Sequence, residues 1–134
     1  MKGYTDIEQS KTLTEILPLE SADMHYHYES DFDELEFIPT ITEEDDHFIL
    51  FPEDVRCWSL TALLSVLPTY LFEFDRGIDL NVYPNLNGRG WHCSYMPNCI
   101  ENMKTDKFKL ITNGDTLVDA CYEMILKLNK LNLL

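Results

Sequence analysis

A chain of 134 residues with 45% hydrophobic content is long enough for one domain over residues 1–134 that buries about two-thirds of its unfolded surface, which excludes wholesale disorder. The net charge of −14 excludes nucleic acid and anionic membranes as direct partners. No apolar run approaches the ~20 residues that span a bilayer, and Met1-Lys-Gly-Tyr-Thr-Asp6 lacks the apolar centre of a signal peptide, so a cytoplasmic protein is expected. In that setting Cys57, Cys93, Cys99 and Cys121 read as reduced core residues and not as a disulfide framework.

Thr5-x-x-Glu8 has the form of a capping box and opens a helix expected over residues 5–17. Its apolar face is Ile7, Leu13, Ile16 and Leu17, and Pro18 stops it. From Asp23 the period becomes two. Met24, Tyr26 and Tyr28 alternate with His25, His27 and Glu29, the pattern of a half-buried strand. Ser30-Asp31-Phe32-Asp33 is turn-like, and residues 35–38 form a second strand closed by Pro39, so the two runs predict a hairpin. Residues 42–47 read as a solvated loop and residues 48–51 as a short buried strand.

Cys57-Trp-Ser-Leu-Thr-Ala-Leu-Leu-Ser-Val-Leu-Pro68 follows. Trp58, Leu60, Leu63, Leu64 and Leu67 recur at three- and four-residue steps, and Ala62 and Val66 broaden that face. A helix apolar on most sides is expected here, ended by Pro68, which has no N–H to donate. Residues 70–74 and 78–83 read as strands joined by Asp75-Arg-Gly77, and residues 91–96 as a third after the turn at residues 84–90. Residues 107–112 predict a last strand. From Thr116 the steps of Leu117, Cys121, Met124, Leu128 and Leu131 predict a final amphipathic helix. The fold class is therefore α+β, an antiparallel sheet of four to six strands with the second and third helices packed on one face.

The segment around Cys57 to Pro68, together with Asp119-Ala-Cys-Tyr-Glu-Met-Ile125, resembles an uncharacterised family of small acidic bacterial and phage-like proteins. The stretch from Thr12 through Ser21-Ala-Asp-Met24 is similar to their N-terminal segment. The resemblance spans most of the chain and implies a stable family fold and a mobile-element origin. It implies no catalytic residue.

The charge is segregated. Residues 12–54 hold fourteen Asp and Glu and no Lys or Arg, while the remaining ten acids are balanced by all ten basic residues. The expected function is a small non-enzymatic binding module that presents residues 20–46 to a basic protein. Its expected contact residues are Tyr26, Tyr28, Asp31, Asp33, Glu34, Glu36, Glu43, Glu44, Asp45 and Asp46. The competing expectations are an enzyme with a pocket between sheet and helices, and a zinc-binding protein. For zinc the ligand candidates are His92, Cys93 and Cys99, with a fourth ligand from His25, His27 or Cys57. Adjacent His92 and Cys93 on a strand would point to opposite faces. A calcium loop beginning at Asp31 fails, because its sixth and twelfth positions are Glu36 and Thr42. Cys57 lies beside no sequence-local base. Asn87-Gly-Arg-Gly90 sits in a hairpin with no following helix, so no phosphate site or other cofactor is expected. The leucine-rich C-terminus, residues 128–134, suggests a homodimer through the last helix.

Overall fold

The computed structural model describes residues 2–42, 53–73, 76–97 and 110–134. The chain is α+β, and its packing divides it into two compact units, Gly3–Val66 and Leu67–Leu134 with Met1–Lys2. The described strands fall into three antiparallel sheets of four, three and two strands. The strand expected at residues 48–51 lies outside the described residues.

Gly3–Val66 begins with α1 (Ile7–Thr14), followed by a 3-10 turn (Leu19–Ser21). The capping box falls one residue later than expected. Asp6 accepts the Gln9 N–H at 2.8 Å, and the Gln9 side-chain oxygen takes the Asp6 N–H at 3.1 Å. Thr5 is occupied elsewhere. It is fully buried, its N–H reaches the Trp58 carbonyl at 3.0 Å, and its hydroxyl takes the Trp58 N–H at 3.1 Å. The chain entry is thus laced to residues 58–60, and Leu13 and Leu17 still form the buried face of the first helical segment.

β1 (Met24–Tyr26) lies between β4 (Thr40–Ile41) and β5 (Val55–Cys57). The single strand expected over residues 24–29 breaks at His27. Beyond it β2 (Tyr28–Glu29) turns to pair with β3 (Glu34–Leu35), matching Tyr28 with Leu35 and Glu29 with Glu34. The hairpin is present, with a shorter second arm than residues 35–38.

The helix expected from Cys57 starts later, as α2 (Leu60–Val66), because residues 55–57 are extended and paired with β1. Ser59 Oγ takes the Ala62 N–H at 3.1 Å, and Asp23 Oδ1 takes the Ser59 N–H at 2.9 Å. Ala62 and Leu63 are buried, while Leu60, Leu64 and Val66 are half-buried, so this helix is less enclosed than its composition suggests. Trp58 stands just before it, fully buried, with Nε1 donating to Ser21 Oγ at 2.9 Å.

The second unit is a meander of β6 (Tyr70–Glu73), β7 (Arg76–Pro84), β8 (Trp91–Pro97) and β9 (Leu110–Gly114), with α3 (Leu117–Lys130) against β8 and β9. β7 and β8 are matched from Ile78↔Pro97 to Pro84↔Trp91. Gly88 and Gly90, at φ +77° and +76°, supply the left-handed positions of their turn. Cys93, Tyr95, Leu110 and Thr112 face α3's buried stripe of Val118, Ala120, Cys121, Met124, Ile125 and Leu128. Thr112 Oγ1 donates to the Ala120 carbonyl at 2.7 Å, joining strand to helix. Thr116 Oγ1 takes the Asp119 N–H at 3.2 Å, and Lys2 Nζ pairs with Asp119 at 2.8 Å. The helix closes in a Schellman turn. Asn132 has φ +57°, and the Leu133 N–H reaches the Leu128 carbonyl at 2.9 Å.

Gly114 is where strand and helix meet most closely. A Cβ there would lie 2.5 Å from Ala120 N and 2.6 Å from Asp119 Cβ, so the first turn of α3 would have to move. Gly114→Ala is expected to destabilise this unit by about 1–3 kcal/mol, read as a lower urea midpoint at unchanged slope. A midpoint equal to that of the parent would show that α3 does not rest on this glycine.

Candidate functional site

The site is built from β1 outward. His25 lies on β1 and His27 immediately beyond its end, where the chain leaves the strand, and the two imidazoles come together there. The register of β1 against β5 sets His25 opposite Arg56 and Tyr26 opposite Val55, which brings Asp54 alongside His27. Ligand atoms of His25, His27 and Asp54 lie within 4.8 Å of one another. His27 Nδ1 is 3.2 Å from Asp54 Oδ1.

Each group is held. The Asp54 side chain is only 2% exposed, and its Oδ1 accepts the Tyr28 N–H at 2.8 Å. His25, also buried, has Nδ1 2.7 Å from Thr42 Oγ1. His27 is the outward member, with Glu29 4.0 Å from its Nε2. Arg56 shares this face. Burial lowers its pKa, while the carboxylates of Asp54 and Glu20 oppose the shift. Beside the cluster is a cleft of about 300 Å³ lined by His27, Tyr28, Glu29, Ser30 and Glu53.

The hairpin carries the acidic face. Asp31, Asp33 and Glu34 are exposed, and Tyr28 donates its phenol to Asp33. Glu29 lies close enough to Glu36 for a hydrogen bond that pushes its carboxyl above the usual range, with desolvation and the Glu36 charge acting the same way. Phe32 and Phe37, 73% and 85% exposed, stand among these acids, with Ile38 and Ile41 also exposed. Tyr26 does not belong to this surface. It is 2% exposed, and its hydroxyl donates to the Thr5 carbonyl at 2.7 Å, so strand alternation turns it to the core. Glu43, Glu44, Asp45 and Asp46 lie outside the described residues.

The candidates on β8 separate as the strand period requires. Cys93 is buried and shares a hydrogen bond with Cys121 that pushes its thiol up and pulls that of Cys121 down. The half-buried His92 tilts against Tyr83 with ring centroids 5.0 Å apart, and its buried Nδ1 has no hydrogen-bond partner among the described residues. Cys99 lies outside the described residues. Cys57 is fully buried, and burial is the main reason its thiol is pushed up, the opposite of an activated nucleophile. Its sulfur sits 3.4 Å from the Thr5 carbonyl oxygen it donates to. Leu131 and Leu134 at the C-terminus are about half exposed.

Sequence reasoning places His25 and His27 only as supplementary ligands and misses Asp54. The His-x-His alternation is the readable signal; the pairing that supplies the carboxylate is not local. None of the described helices is long and apolar enough to cross a membrane. Comparison of the chain with protein-family models, curated proteins and solved structures returns no match.

Proposed function

We propose that this protein is a small binding module, of phage or mobile-element origin, that presents the acidic segment of residues 20–46 to a basic protein. The observation that supports this reading is the hairpin, where Phe32 and Phe37 are exposed, Asp31, Asp33 and Glu34 are exposed close by in sequence, and Glu36 is half-buried. Crowded carboxylates such as Glu29 and Glu36 repel, and a cationic partner relieves that repulsion. The phenylalanines supply apolar contact area that charge alone does not. Such a face steers association and loses affinity as salt rises.

The test uses the full chain as bait at low salt, beside a variant carrying Asp31→Asn, Asp33→Asn, Glu34→Gln and Glu36→Gln. A basic protein held by the parent, released by high salt and not held by the variant is the expected result. Partners that are acidic, insensitive to salt or equally retained by the variant would remove the proposal.

A further inference from the structure

The geometry points to a divalent transition-metal site of zinc type formed by His25, His27 and Asp54. Two imidazoles and one carboxylate make a mixed N/O set that suits zinc and its neighbours, whereas calcium and magnesium take oxygen ligands. With bonds of about 2.0–2.1 Å, the edge of a tetrahedral shell is about 3.3 Å. His27 Nδ1 and Asp54 Oδ1 already stand 3.2 Å apart, and the ligand atoms of all three residues lie within 4.8 Å.

The surroundings are those a metal ligand set needs. Thr42 Oγ1 lies 2.7 Å from Nδ1 of the buried His25, which fixes the ring; with the Nδ1 proton given to Thr42, Nε2 is the nitrogen that binds the ion. The Tyr28 N–H orients the Asp54 carboxylate at 2.8 Å. The buried pair is joined by one ligand at the surface, since the His27 side chain is 36% exposed and lines the adjoining cleft. That gives the ion a way in and leaves a fourth position for water. Three protein ligands with one open position form the pattern of a zinc site that exchanges its fourth ligand.

The rival arrangement is a metal-free network in which His27 hydrogen-bonds Asp54 and the Arg56 charge offsets its carboxylate. The two differ in what they bind. The full-length protein, stripped with a chelator and then freed of it, is titrated calorimetrically with Zn2+ and, for its visible ligand-field bands, with Co2+. One equivalent is expected to bind, and Zn2+ is expected to displace Co2+ and raise the melting temperature. His27→Gln, at the exposed position and therefore able to fold, is expected to weaken Zn2+ binding about 100-fold or more, and Thr42→Val about 10–100-fold. Circular dichroism checks that both variants fold. A variant with Glu43→Gln, Glu44→Gln, Asp45→Asn and Asp46→Asn is expected to keep the parent affinity. The site is refuted if the parent takes up no stoichiometric Zn2+, if folded His27→Gln binds as the parent does, or if the acidic-segment variant is the one that loses binding.

Discussion

Replacing Trp58 with alanine is expected to cost the Gly3–Val66 unit about 3–5 kcal/mol, the usual range for emptying a buried tryptophan site. Trp58 is fully buried, and its backbone N–H and carbonyl both pair with Thr5. Its indole N–H also holds Ser21, so one side chain ties the 3-10 turn to the strand–helix junction. Marginal stability leaves little reserve against such a loss in a unit of this size. Urea unfolding followed by circular dichroism should show a lower midpoint or no folded baseline for this unit. Trp58→Phe, which keeps most of the ring but loses the bond to Ser21, should fall between the two. A loss below about 1 kcal/mol for Trp58→Ala would mean that neighbours collapse into the space, and that the unit is not organised on this residue.

Alkaline solution is expected to unfold the protein through its buried phenols. Burial is the main cause that raises Tyr26 and Tyr95 above their ordinary value near 10, with Cys57 acting on Tyr26 and Cys93 on Tyr95 in the same direction. A group raised in the folded state keeps its proton after the unfolded chain has lost it. Its stabilisation is complete below the unfolded value and is lost as pH climbs toward the folded one. Each tyrosine therefore removes about 1.4 kcal/mol per pH unit above roughly pH 10. Cys57, raised from 9 by its burial, erodes the same unit as Tyr26 from about one pH unit lower. Urea midpoints measured from pH 7 to 11 should fall steeply at the upper end. Tyr26→Phe should lose about 1 kcal/mol at neutral pH with its bond to Thr5, yet fall less steeply above pH 10. Parallel curves for parent and variant would show that the Tyr26 phenol ionises freely in the folded protein.

Patterns with a local cause are readable in the chain. The alternation in residues 78–83 and 91–96 marks β7 and β8, and the steps from Leu117 to Leu128 mark α3, because burial on one face repeats with the period of the element. Competition between neighbouring residues is less readable. Thr5 and Asp6 both qualify as caps, and the choice falls to Asp6 because Thr5 is drawn into bonds with Trp58, more than fifty residues away. The apolar run after Cys57 overstates its helix for a related reason. Cys57 is claimed by strand pairing with Met24 and Trp58 by its bonds to Thr5, which no local periodicity announces. The histidine–carboxylate cluster follows the same rule. His25 and His27 are an alternation, but Asp54 reaches them only through the register of β5, and in a segment of fourteen acids nothing marks it as the buried one.

The strand ladder of the hairpin that carries the acids has two residue pairs, one of them Glu29 opposite Glu34, joined by the Glu36 N–H bond to His27 and the Phe32 N–H bond to Glu29. β7 and β8 share seven pairs. Like charges set opposite each other weaken a ladder, and two short strands are marginal alone. Amide protons at residues 28–36 are therefore expected to exchange with solvent through local opening before those of β7 and β8, which hydrogen-exchange mass spectrometry would check. On the proposed reading, a basic partner bound to this face would close that opening, and its footprint would be slowed exchange at residues 28–36.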